Sequence, residues 1–204
     1  MIKQFMCLSL FLCYVVPVMA KAPDEQLMVA LKEHVTKAED AAVLGQWRDA
    51  RDYWKSALKL SLSTEVESSY QALLHYGYGR VLGVLCDWDK AEQQLQKALM
   101  LDRKSHGAFY LSLIELSRFY RAQKKFEQAK QYYDELLPAL NERKAAVTDP
   151  FNTAELLDEY ADTLEALGAK QLTQPYRDSA LKLRQNAGKK PPGLAKTPYG
   201  ATCR

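Results

Sequence analysis

Histidine and cysteine, on which much metal and nucleophile chemistry depends, are scarce: the 204 residues hold three histidines and four cysteines. There is no HExxH, no phosphate-binding loop, no nucleophile elbow and no cysteine pair at zinc spacing, so the sequence predicts no enzyme, no metal site and no cofactor. Strand-like alternation is essentially missing, which excludes a β fold. An excess of one charge is missing too. The net charge is +3, but Lys3 lies near the start and Lys189, Lys190, Lys196 and Arg204 near the end, so the body between them is slightly acidic. Charge therefore gives no reason to expect a nucleic-acid partner.

Long apolar runs are confined to the first twenty residues, MIKQFMCLSLFLCYVVPVMA. One positive charge, an uncharged run from Phe5 to Val16 and a small-residue site ending at Ala20 are the parts of a secretory signal peptide. The run is shorter than the ~20 residues of a spanning helix, so the expectation is an exported chain, best suited to a bacterial periplasm, with no membrane insertion after cleavage. The alternative is a chain tethered by an uncleaved signal. Cleavage removes Cys7 and Cys13 and leaves Cys86 and Cys203, which permit one disulfide in an oxidising compartment; the other reading is a semi-buried Cys86 and a free Cys203. From Gly188 onward the chain is basic, rich in proline and glycine, and aperiodic. Residues 188–204 read as a solvated terminus, or as a linear segment that binds a partner or folds back through Cys203.

What is present, from about Asp24 to Asn186, is helical periodicity. Three stretches align column by column: GQWRDARDYWKSALKL from Gly45, CDWDKAEQQLQKALML from Cys86 and KKFEQAKQYYDELLPA from Lys124. Trp47, Trp88 and Phe126 share one column, and Ala50, Ala91 and Ala129 the next. Trp54, Leu95 and Tyr133 share the third, and Ala57, Ala98 and Leu136 the fourth. Small columns mark close helix approach and large ones fill the space beside them. Gly45 suits a helix C-terminus, Thr64 to Glu67 forms a capping box, Ser105 reads as the cap of a helix from His106 to Ala122, and Asp149 with Pro150 starts a later helix. Gly77, Gly79 and Gly83 lie inside a helix and follow no strand, so they predict close packing rather than nucleotide binding. His34 and His75 fall at equivalent positions and read as partly buried core residues; His106 reads as exposed.

These columns resemble those of tetratricopeptide repeats, helix-turn-helix units with a turn glycine, an aromatic, a small residue, a further aromatic and Ala-Leu. The resemblance implies an all-α solenoid of three to four hairpins and about eight helices over residues 21–187, with units near 31–64, 72–105 and 110–143 and a degenerate one at 154–186. In the first helices the family's small packing position falls on Ala38, Gly79 and Ser117. The spacings from Ala50 to Ala91 and from Ala91 to Ala129 exceed the family's usual ~34 residues. The resemblance also implies a concave groove lined by the first helices. Lys32, Tyr76, Arg80, Ile114, Arg118 and Arg121 would lie there, with Asp158 and Asp162 at an acidic end. Arginines in such a groove either grip carboxylates of a bound peptide or pair with acids such as Asp158 and Asp162 to hold neighbouring repeats in register. The lysine and asparagine pattern of domains that clamp chaperone C-termini is not reproduced. The expectation is a non-enzymatic, exported adaptor for a protein or peptide partner, in the manner of proteins serving envelope assembly or secretion. The alternative is a small-molecule or glycan binder using Tyr70, Tyr76, Tyr78, Phe109, Tyr110, Phe119 and Tyr120 as stacking surfaces. Partner identity and oligomeric state stay open.

Overall fold

The computed structural model describes residues 25–63, 65–106, 108–188 and 197–203; the signal-like segment and Thr64 lie outside them. Among the described residues the chain is all-α. Four antiparallel hairpins follow one another: α1 (Glu25–Val43) with α2 (Trp47–Ser61), α3 (Ser68–Val84) with α4 (Trp88–Ser105), α5 (Phe109–Ala122) with α6 (Phe126–Glu142), and α8 (Pro150–Ala166) with α9 (Gln174–Asn186). A four-residue helix, α7 (Ala145–Thr148), links the third and fourth hairpins and takes the number of α-helices among the described residues to nine.

Each hairpin turns in the same way. The second residue after the first helix has positive φ, at Gly45, Cys86, Lys124 and Gly168. The next amide then reaches back to close the helix, as in Gln46 N to Ala41 O at 2.8 Å and Asp87 N to Leu82 O at 3.0 Å. This satisfies carbonyls that a helix end leaves without partners. Two of the four turns use a non-glycine side chain at a strained position, and one of those is a cysteine.

The aligned columns form the core. Ala50, Ala91 and Ala129 are fully buried, as are Leu95, Tyr133, Ala57, Ala98 and Leu136, while Trp54 is nearly so. Small residues occur where helices meet. A methyl group on Gly77 would lie 2.3 Å from the Trp54 indole, and one on Gly79 would lie 2.9 Å from Leu95. The degenerate fourth hairpin keeps the pattern in its first helix, with Tyr160, Ala161 and Leu164 buried. In α9, Pro175 falls in the first turn, where its missing N–H costs nothing.

Three local expectations are corrected. Ser105 ends α4 instead of capping α5, because its hydroxyl donates back to the carbonyls of Leu101 and Asp102. His106, although exposed, takes a left-handed conformation as the C-terminal cap of α4. Helix α3 starts at Ser68 with Glu67 at its N-cap position, and no side-chain cap is made there. Asp149 does cap α8, accepting from Asn152 N. The reading of the C-terminus as solvated is also corrected for its last described residues: Tyr199 is buried in the larger of two core clusters, and Cys203 is bonded to Cys86.

Candidate functional site

The first helices of hairpins two, three and four, α3, α5 and α8, present their inner faces to a common cleft of about 1060 Å³. Helix periodicity places Tyr76 and Arg80 of α3 along it, then Leu111, Ile114, Arg118 and Arg121 of α5, and Glu155 and Glu159 of α8. Five of the expected groove residues, Tyr76, Arg80, Ile114, Arg118 and Arg121, therefore meet in one place. The other three do not line it. Lys32 is exposed on α1, Asp158 is paired with Arg184, and Asp162 is paired with Arg121 and Arg177.

One end of the cleft is walled by the chain's own C-terminal segment, Thr197, Pro198 and Tyr199. Arg80 donates through Nη2 to the Thr197 carbonyl, and its guanidinium lies 4.5 Å from the Tyr199 ring centre. Its Nε is 3.3 Å from Glu115 Oε2. The same oxygen accepts the Tyr199 hydroxyl at 2.7 Å, and the Glu115 charge also reaches Tyr76. Glu115 is 1% exposed and Arg80 12%, so each charge depends on the other in a medium of weak screening. Further along, the Gly200 amide donates to Gly83 O at 3.0 Å and the Thr202 hydroxyl to Val84 O at 2.8 Å. These carbonyls end α3.

The remaining cations are also committed. Arg118 grips Glu159 through both carboxylate oxygens at 3.0 and 2.9 Å, and Tyr133 donates to that carboxylate at 2.9 Å. Arg121 approaches Glu159 and Asp162 at 3.8 and 3.5 Å. Arginines of α5 thus pair with acids of α8, which ties the third hairpin to the fourth. The partners of Arg80 and Arg118 differ from those expected: Glu115 and Glu159 take the central roles, Asp158 takes none in the cleft, and Asp162 is reached by Arg121 instead. Glu115 had a signal in the sequence, as a lone acid within the apolar run YLSLIELSRFY. Sequence reasoning missed Tyr199 as well. The aromatic surfaces are mostly core, since Phe119 and Tyr120 are buried and the face of Tyr110 is covered by Arg143 at 4.0 Å.

Burial, followed by the nearby charge of Glu115, raises the phenol pKa values of Tyr76 and Tyr199. Burial followed by the Glu159 charge does the same for Tyr133. For Tyr120 and Tyr160 burial is followed by hydrogen bonds to Glu92 and Asp134. In the unfolded chain these phenols ionise near pH ~10, while the folded chain holds them neutral. The linked stability is fully present below about pH 10 and is lost as pH rises above it, because the unfolded state then binds fewer protons. A spectrophotometric phenolate titration with parallel helical circular dichroism should show these tyrosines ionising only as helicity falls. Ionisation of all twelve tyrosines near their ordinary value with helicity intact would contradict it.

Among solved structures, BtubC (BKLC) from P. vanneervenii is similar to this chain with a TM-score of 0.75 and 17% identity, over 85% of this chain and 70% of that one. MamA is similar with a TM-score of 0.60 and 15% identity, over 78% and 81%. The TPR-like repeats of a putative kinesin light chain from Podosopora anserina are similar with a TM-score of 0.61 and 15% identity, over 78% and 77%. No protein-family model and no curated protein sequence matches the chain. The fold is thus a TPR-like helical repeat.

Proposed function

We propose that this solenoid is a non-catalytic, exported scaffold that holds an extended segment of a partner protein in the cleft between its first helices. One observation carries the reading: the cleft already holds peptide backbone, with Arg80 donating to the Thr197 carbonyl. Beyond that segment the cleft continues past Leu111, which is 41% exposed, Ile114 and Arg143 toward Glu155 and Asn152. Apolar side chains flanked by paired charges suit a segment with alternate apolar and polar residues. Export is supported by the signal-like first twenty residues and by the Cys86–Cys203 bond, a kind of bond that persists in oxidising compartments such as a periplasm.

Photocrosslinking in the producing cell tests this. A crosslinking side chain at Leu111 or Arg143 should yield an adduct of discrete mass. The same group at Met100, 50% exposed on the second helix of its hairpin, should not. Adducts from Met100 alone, or equally from all three positions, would refute binding in the cleft.

A further inference from the structure

The seat of Tyr199 exists only because residue 83 lacks a side chain. A methyl group on Gly83 would lie 2.3 Å from the Tyr199 ring. The ring fills that gap edge-on to Phe119, with centroids 5.5 Å apart, beneath the Arg80 guanidinium and with its hydroxyl on Glu115. Buried Nη1 of Arg80 is left with no hydrogen-bond partner. Beside the ring, Gly83 O and Val84 O take hydrogen-bond donors of Gly200 and Thr202. Here are a pocket for one phenol, carbonyls that accept from a passing backbone, and a guanidinium for a passing carbonyl. A segment that carries tyrosine before glycine in a like turn, with a hydroxyl residue two positions on, offers the same groups. Besides the backbone that leads to it, the present occupant is tied covalently by Cys86–Cys203.

We infer that residues 197–203 are a strap that occupies one end of the peptide-binding cleft, and that the Cys86–Cys203 bond is its latch. This rests on the cleft reading above and sets how long the binding surface is. With the latch closed, a partner reaches only the part between α5 and α8. With it open, a partner segment bearing Tyr-Gly exchanges with the strap and extends binding onto α3. Opening is thiol–disulfide exchange with an external dithiol. Its thiolate attacks a sulfur, its second thiol resolves the mixed disulfide, and two electrons and two protons pass to Cys86 and Cys203. Cys203 is exposed, so its sulfur gives a reductant a route in.

The probe is a fluorescent, end-capped peptide Lys-Thr-Pro-Tyr-Gly-Ala-Thr, and the readout is anisotropy with the full chain. Wild type reduced with dithiothreitol, and more so Tyr199→Ala/Cys203→Ser, should bind it at least about tenfold tighter than oxidised wild type, a difference of about 1.4 kcal/mol. Adding Gly83→Ala to the double variant, or replacing the peptide tyrosine by alanine, should remove binding. Equal binding by the oxidised chain would overturn the strap, as would no binding by a double variant with wild-type helicity. Amide exchange of wild type before and after reduction gives an independent answer should the variants misfold. Protection should fall at Gly200 and Cys203 while that of α3 and α5 holds; joint loss would show the segment to be ordinary core. If the peptide fails while Leu111 crosslinks, the strap falls and the cleft reading stands; if both fail, both fall.

Discussion

Cys203→Ser should lower the unfolding free energy by up to about 4–5 kcal/mol, the largest single effect expected in this chain. The bond joins residues 117 apart, and a loop of roughly a hundred residues removes about that much chain entropy from the unfolded state. The folded state also responds. Once the covalent tie is gone, the segment carrying Tyr199 gains freedom if it leaves its seat, and that gain offsets part of the loss. The shortfall below 4–5 kcal/mol therefore reports how firmly the segment docks through Arg80, Glu115 and Gly83 alone. Denaturant midpoints followed by helical circular dichroism, with and without reductant, supply the measurement. Coincident curves for oxidised and reduced wild type would show that the bond contributes nothing to stability.

Glu115→Ala should cost about 3–5 kcal/mol, because it strands one charge of a buried pair. The carboxylate is 1% exposed and holds Arg80 together with the Tyr199 hydroxyl. Removing it leaves a guanidinium without its counter-charge and the Tyr199 phenol without an acceptor. Replacing both charges, as Arg80→Met/Glu115→Leu, should cost clearly less than Glu115→Ala alone, since no uncompensated charge remains. Equal costs would mean that the cluster is held by packing and not by electrostatics. The comparison needs only denaturant unfolding of three proteins.

The repeat was legible because its determinants are local. Trp54, Leu95 and Tyr133 recur at fixed distances from Ala50, Ala91 and Ala129, and helix periodicity converts those distances into one buried face. Face assignment was sound for Tyr76, Arg80, Ile114, Arg118 and Arg121, which share the cleft. Counter-charges were harder to place. Glu115 and Glu159 sit one residue beyond the face drawn through Ile114 and Asp158, within reach of long arginine side chains but outside a strict pattern. The docking of Tyr199 had no local signal at all. Its partners Gly83 and Glu115 are more than eighty residues away in sequence, and the segment's prolines, glycines and lysines describe a solvated chain well. Only Cys203 hinted at a tie, and a lone pair of cysteines does not show that its sulfurs meet.

The turn cysteine has a mechanical consequence. Solenoids are open-ended, so tension between the termini ordinarily runs through every hairpin in series. Here Cys86 is joined to Cys203, and a load entering at the C-terminus passes straight across the sulfurs into the turn after α3. Helices α4 to α9 lie within the bridged stretch and are shielded from the force. Only the first hairpin and α3 remain in the loaded path, so under pulling the protein should lengthen by roughly a third of its contour and then hold until the bond is cut.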